Sequence, residues 1–134
     1  MATTATTART YADALTAKDF ATVAGMFAED VVWHQPGAHR FAGTYRGQAE
    51  VNGHLGALMG ASQGSFELAV VAEPMVNGDL AAMQVEFGAR RDGATMSMGG
   101  VDVVRVDGDR IAEVWLYSAD QQAEDEFWGA PVAG

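Results

Sequence analysis

The hydrophobic period of this chain changes partway along, and that change limits what it can fold into. Up to Gly64 the apolar residues recur mostly at helical spacing, and from Ser65 onward they alternate. A period near 3.6 buries one stripe of a helix and a period of two buries one face of a strand, so helices must come first and a sheet after them. Tyr11, Ala12 and Leu15 mark a first helix that stops near Ala17-Lys18, behind an Ala/Thr leader (residues 1–8) expected to fray. Asp19 is placed to cap a second helix with Phe20, Val23, Ala24 and Phe27 on its buried side, followed by a turn at Glu29-Asp30. Val31 to Gln35 reads as a strand ended by Pro36-Gly37, and His39 to Gly47 as a loop or short hairpin. A third helix begins near Gln48, carries Val51, Leu55, Leu58 and Met59, and leaves at Gly60 and Gly64.

The alternating half predicts strands over Ser65–Glu73, Leu80–Arg90, Thr95–Val106 and Arg110–Tyr117. Asn77-Gly78-Asp79, Arg91-Asp92-Gly93 and Asp107-Gly108-Asp109 supply turn residues for antiparallel connections. Helices followed by a meander of strands imply an α+β fold, with the helices packed on one side of a curved sheet. The acidic tail from Asp120 carries Phe127 and Trp128 and is expected to fold back and dock them. At 134 residues, 49% of them hydrophobic, residues 1–134 suffice for one domain and need no second.

Several function classes drop out on composition. Without cysteine there is no disulfide, thiolate nucleophile or cysteine metal site. A formal net charge of −10, with the eight Lys and Arg scattered, repels phosphate backbones and anionic lipid, so nucleic acid is not an expected partner. No apolar run approaches the roughly 20 residues of a membrane span, and the first residues lack signal-peptide character; a cytoplasmic protein is the expectation.

One residue breaks the apolar pattern in a telling way. Asp102 lies in Met96-Ser97-Met98-Gly99-Gly100-Val101-Asp102-Val103-Val104-Arg105-Val106 and shares a strand face with Met96, Met98, Val104 and Val106, while Arg105 points the other way. A carboxyl group among methyls and thioethers loses the hydration that favours its charged form, and its pKa rises toward the range useful for acid and base work. The alternative is a structural carboxylate bonded to Tyr11 or a backbone donor.

Partners for Asp102 are fewer. His54 falls inside the apolar stripe of the third helix, where an imidazole could exchange protons with substrate or with Asp102. His34 sits between Trp33 and Gln35, so strict alternation sends it to the face opposite theirs unless a bulge precedes Pro36. Which of the two faces inward stays open; His39, in a loop, is expected in water. No histidine pair has helical ligand spacing, so a metal site is not expected. Trp33, Tyr45, Phe87, Met96 and Met98 could line a pocket for a flat aromatic or polycyclic molecule, with Met83 a further candidate.

The order of elements resembles the nuclear transport factor 2-like cone, a cystatin-like curved antiparallel sheet wrapped around N-terminal helices. Within it, the chain is most similar to SnoaL-like polyketide cyclases and ketosteroid isomerases. The resemblance rests on Tyr11-Ala12-Asp13-Ala14-Leu15 with Asp19, on Phe27 to Pro36, on Gly43-Thr44-Tyr45-Arg46-Gly47, on Val101 to Ile111 and on Trp115. It covers nearly the whole chain, but this fold hosts many functions. It implies that Asp102 stands where the isomerases keep a protonated Asp and the cyclases an acid/base Asp, and that Tyr11 stands at the isomerase Tyr donor. The isomerase base falls on Gln35, an amide, so standard ketosteroid isomerisation is not expected. The cyclase His has no equivalent around Phe87 to Arg90. A homodimer through the convex sheet face is also implied.

The expected function is cofactor-free proton transfer on an apolar carbonyl or polyketide-like molecule, giving isomerisation, cyclisation or dehydration. Asp102 would be the acid or base, His54 or His34 its complement, and Tyr11 with Gln35 the donors to a developing oxyanion. The alternatives are a non-catalytic binder of a hydrophobic small molecule and an enzyme that opens epoxides with the same residues.

Overall fold

The computed structural model describes residues 2–130. Helices α1 (Thr4–Thr16) and α2 (Phe20–Met26) lead into strand β1 (Phe27–Gln35), then β2 (Gly43–Arg46) and helix α3 (Gln48–Ala61). Strands β3 (Glu67–Val70), β4 (Met75–Asn77), β5 (Leu80–Arg91), β6 (Ala94–Asp107) and β7 (Arg110–Ser118) follow, and helix α4 (Gln121–Trp128) closes the chain. The strands form one sheet in the order β2-β1-β7-β6-β5-β3, with β4 also paired to β5. The α+β architecture with helices on a curved sheet is as the periodicity predicts; β1 and β7, however, run parallel, so the sheet is not wholly antiparallel.

The boundaries differ from expectation in four places. The leader is helical from Thr4, because Thr3 and Thr6 exchange side-chain and backbone hydrogen bonds in a capping box, and Ala8 is fully buried. Phe27 opens β1 instead of closing α2. The register of β1 against β7 shifts between Phe27 and Val32, so Glu29 and Asp30 can both face outward within a strand where a turn was expected. The strand expected over 65–73 ends at Val70; Pro74, which has no N–H to give a ladder, separates it from β4.

Two groups of apolar side chains fill the space between sheet and helices. One joins Tyr11, Phe27, Val31, Trp33, Met83 and Val104; the other joins Leu58, Ala89, Met96, Phe127 and Trp128. Fully burying a large apolar side chain contributes about 1.5–3 kcal/mol, so these groups dominate the stability of the fold. The tail docks as expected and does so as a helix: Asp120 caps α4 by accepting from the Ala123 N–H, and Phe127 and Trp128 are buried. The helix is pinned from the β1–β2 connection as well. Ala38 N–H donates to Asp125 Oδ1 (3.1 Å) and Arg40 N–H to the Gly129 carbonyl (2.9 Å). Among the described residues no helix is long and apolar enough to cross a membrane.

Gly100 shows why β6 carries glycine next to its acidic residue. A Cβ there would come within 2.4 Å of the Tyr117 carbonyl oxygen and 3.2 Å of the Phe87 ring, so any side chain would push β7 and Phe87 apart. Its absence lets β7 and the Phe87 ring lie close against β6.

Candidate active site

A cavity of about 350 Å³ lies where the two apolar groups meet. Its walls come from α1, α2 and α3, from β1, β5, β6 and β7, and from α4. Most are apolar, including Trp33, Phe66, Phe87 and Trp128; the deep polar groups are Gln35, Asp102 and Glu124.

Asp102 faces this cavity because β6 alternates: Asp102, Val104 and Val106 are buried, and Arg105 lies on the other face beside Glu113 (3.5 Å). In register, Asp102 stands opposite Met83 of β5 and Leu116 of β7. It is 7% exposed, and its carboxyl has no side-chain hydrogen-bond partner among the described residues. Burial, and then the negative charge of Glu124, push its pKa up to about 7. It therefore exchanges a proton near neutral pH, as a general acid or base requires.

Gln35 and Trp33 enter from β1, on its inward face, as alternation predicts. The Trp33 indole N–H donates to Gln35 at 3.1 Å, and since an indole can only donate, the receiving atom is the amide oxygen. That oxygen is also 2.9 Å from His54 Nε2, which must then carry the hydrogen. With its oxygen held twice, Gln35 has its NH₂ left to offer a ligand.

His54, one of the two histidines between which the sequence left the inward position open, is not among the residues lining the cavity. Its ring is stacked on Tyr45 (3.9 Å between centroids), and Nδ1 is buried without a partner among the described residues. Burial, with a smaller contribution from His39, holds its pKa down to about 4, so it is neutral in the working range and orients Gln35 without moving protons. We expect imidazole NMR signals of His54 to keep the Nε2–H tautomer from neutral pH to about pH 4; titration near 6.5, the ordinary value, would contradict this. The sign follows: the unfolded ring takes up a proton near 6.5 that the folded ring refuses until about 4, so His54 makes the fold lose stability as pH falls through that window.

Other expected site residues are also placed elsewhere. His34 faces the opposite side of the sheet, as strict alternation requires, where it pairs with Glu113 (2.6 Å) and stacks on Trp115. Tyr11 is 1% exposed and lies behind the wall; burial and the Asp102 charge raise its pKa, which keeps the phenol protonated. It is near enough to feel Asp102 but is not among the residues lining the cavity. Tyr45 donates its hydroxyl to the Phe41 carbonyl (2.7 Å) and packs behind His54. Met96 and Met98 share the face of Asp102 but sit six and four residues before it. Neither is among the residues lining the cavity; both pack in the apolar group with Phe127 and Trp128. Phe87 lines the cavity. His39, expected in water, is buried, with Nδ1 accepting from the Phe41 N–H (3.0 Å).

The residue missed by sequence reasoning is Glu124. It is 4% exposed, lines the cavity from α4, and accepts hydrogen bonds from Ser118 (2.7 Å), Gln121 (3.0 Å) and the Trp128 indole (3.4 Å). All three donors are neutral. Its spacing was a usable signal: Glu124 precedes Phe127 by three residues and Trp128 by four, so a helical tail puts it on the face that docks.

Comparison with known proteins agrees with this architecture. A family model described as SnoaL-like domain matches residues 8–114. An uncharacterized protein of Mycobacterium tuberculosis is 31% identical over 121 residues, which are 90% of this chain and 91% of that protein. A protein of unknown function with a cystatin-like fold from Xanthomonas campestris is similar at 42% identity and TM-score 0.88, covering 94% of this chain and 98% of that one. Bal32a, from a soil-derived mobile gene cassette, is similar at 26% identity and TM-score 0.85, covering 94% and 96%. The architecture is that of the cystatin-like and NTF2-like folds.

Proposed function

The chain belongs to the SnoaL-like domain family, and on that premise we propose that it is a cofactor-independent enzyme that moves a proton on an apolar carbonyl compound. The family includes polyketide cyclases, and the reading for this chain is isomerisation, cyclisation or dehydration of a polyketide-like molecule. The observation that carries it is Asp102: a carboxyl group with no side-chain partner among the described residues, in an apolar cavity, whose proton affinity is matched to neutral pH.

The chemistry needs few parts. Asp102 as carboxylate takes a proton from the carbon next to the carbonyl, and the Gln35 NH₂ donates to the oxygen on which charge develops. Asp102 then returns the proton to a different carbon for isomerisation; for ring closure the enolate carbon attacks a second carbonyl, and Asp102 gives its proton to the alkoxide oxygen that forms. Protons balance and no redox partner is required. Burial raises the proton affinity of Asp102, and the charge of Glu124 adds to it. A homodimer through the convex sheet face, on the side of His34 and Trp115, belongs to the same reading.

Deuterium exchange tests it without knowledge of the substrate. Aryl and polycyclic ketones incubated with the protein in D₂O are expected to gain deuterium at the carbon beside the carbonyl, with a rate that changes near pH 7. Ligands that bind in the cavity yet never exchange would make the protein a binder.

A further inference from the structure

We propose that the ligand of this cavity carries a basic nitrogen, protonated and seated at Glu124, on an otherwise flat apolar frame. This deepens the functional reading above and rests on it, since it concerns the same cavity. The first observation is a charge without a partner. Glu124 is 96% buried by exposure, yet its three donors are a hydroxyl, an amide and an indole, none of them a cation. Among the described residues no lysine, arginine or histidine lines the cavity. The nitrogen base nearest in effect, His39, on which the Glu124 charge acts, has its pKa lowered chiefly by burial and stays neutral. A buried anion held only by neutral donors is costly to keep unless something of opposite sign completes it.

The second observation is Asp102, more than nine-tenths buried and aimed into the same space with no side-chain partner among the described residues. Two acidic groups then face one ligand, along with the Gln35 amide, from walls of aromatic rings. Trp33, Phe66, Phe87 and Trp128 present faces and edges that suit a flat ring system, and aromatic faces attract a cation as well. A cavity near 350 Å³ lies in the range that holds small organic ligands. A carboxylate ligand would be repelled by Glu124 at short range, and by the net charge of −10 at long range.

The assignment also removes a difficulty in the chemistry. An enolate forming beside Gln35 would be opposed by Glu124 across a medium of low polarity. An ammonium at Glu124 brings the local charge back toward zero, lets Asp102 shed its proton and act as the base, and no longer opposes the enolate. Ligand recognition and activation of Asp102 thus become one event.

A matched series separates the possibilities: 9-(aminomethyl)anthracene, 9-anthracenemethanol and 9-anthracenecarboxylate, titrated calorimetrically into the full chain at pH 7 and low salt. The amine is expected to bind at least about tenfold more tightly than the alcohol, with the carboxylate weaker than both. Amine binding should also release a fraction of a proton, seen as a dependence of the heat on buffer ionisation enthalpy, and Asp102→Asn should remove that release. Glu124→Gln, which keeps an acceptor for its three donors, should bring amine and alcohol to similar affinity. Should that variant misfold, the affinity order and proton release of the unaltered protein still decide. Alcohol or carboxylate binding as tightly as the amine overturns the charge assignment while leaving the cavity as the ligand site. If no member shifts the Trp33 or Trp128 indole N–H signals, the cavity itself is misassigned and the functional reading fails with it.

Discussion

Replacing Asp102 with Asn is expected to lower turnover by about 10²–10⁴-fold and, in the same molecule, to stabilise the fold at neutral and higher pH. The two effects share one cause. In the folded state burial and Glu124 keep the carboxyl protonated up to about pH 7, while the unfolded chain releases the proton near 3.8. Between those values the folded state binds more protons than the unfolded state, so stability falls as pH rises and levels off above about 7. A difference of about three pKa units sets a ceiling of about 4 kcal/mol on that loss. Asparagine does not ionise and is spared it. Urea denaturation of both proteins from pH 4 to 8 is expected to show their stabilities diverging as pH increases, in favour of the variant. A constant difference across the range would mean that the carboxyl is not desolvated, and the catalytic assignment would lose its physical basis.

Trp128→Ala carries the largest structural penalty. The indole is 2% exposed and packs against Phe41, Phe66 and Phe127 while its N–H reaches Glu124. Truncating a buried tryptophan costs about 3–5 kcal/mol, and here it strips α4 of its main anchor and opens the cavity to water. Hydration of the cavity favours the charged form of Asp102, so its pKa should move down toward the ordinary carboxylate range. Carbon-13 carboxyl titration of Asp102 checks this directly. Trp128→Phe retains most of the packing and loses only the N–H donor, so it should cost much less and leave the titration near its original position. A Trp128→Ala protein with unchanged stability and an unchanged Asp102 titration would show that α4 neither anchors the tail nor seals the cavity.

Residue by residue, the legible part of the site is the part that depends on strand alternation. The side of β6 on which Asp102 lies follows from the apolar residues two and four positions after it. The pairing of Trp33 with Gln35 on one face, and of His34 with the other, follows from the same two-residue period. The capping box at Thr3 went unread because its second member is Thr6, where Glu or Gln is the usual signal.

The rest depends on distance and on contacts between segments far apart in sequence. Period assigns Met96, Met98 and Asp102 to one face, but it does not say how far along a long strand a cavity extends; α4 does, by covering the methionines with Phe127 and Trp128. The neutrality of His54 comes from burial, to which the stacked Tyr45 ring contributes, and to a smaller extent from His39, while its orientation comes from Gln35 on a different element. Glu124 meets Asp102 only because the tail folds back across the sheet. The sequence by itself determined the order of helices and strands and the inward direction of Asp102, because hydrophobic period is a local property of the chain. Which groups share the cavity, and which of them exchange protons there, was decided by the tertiary structure, because proton affinity depends on burial and on charges brought together from distant segments.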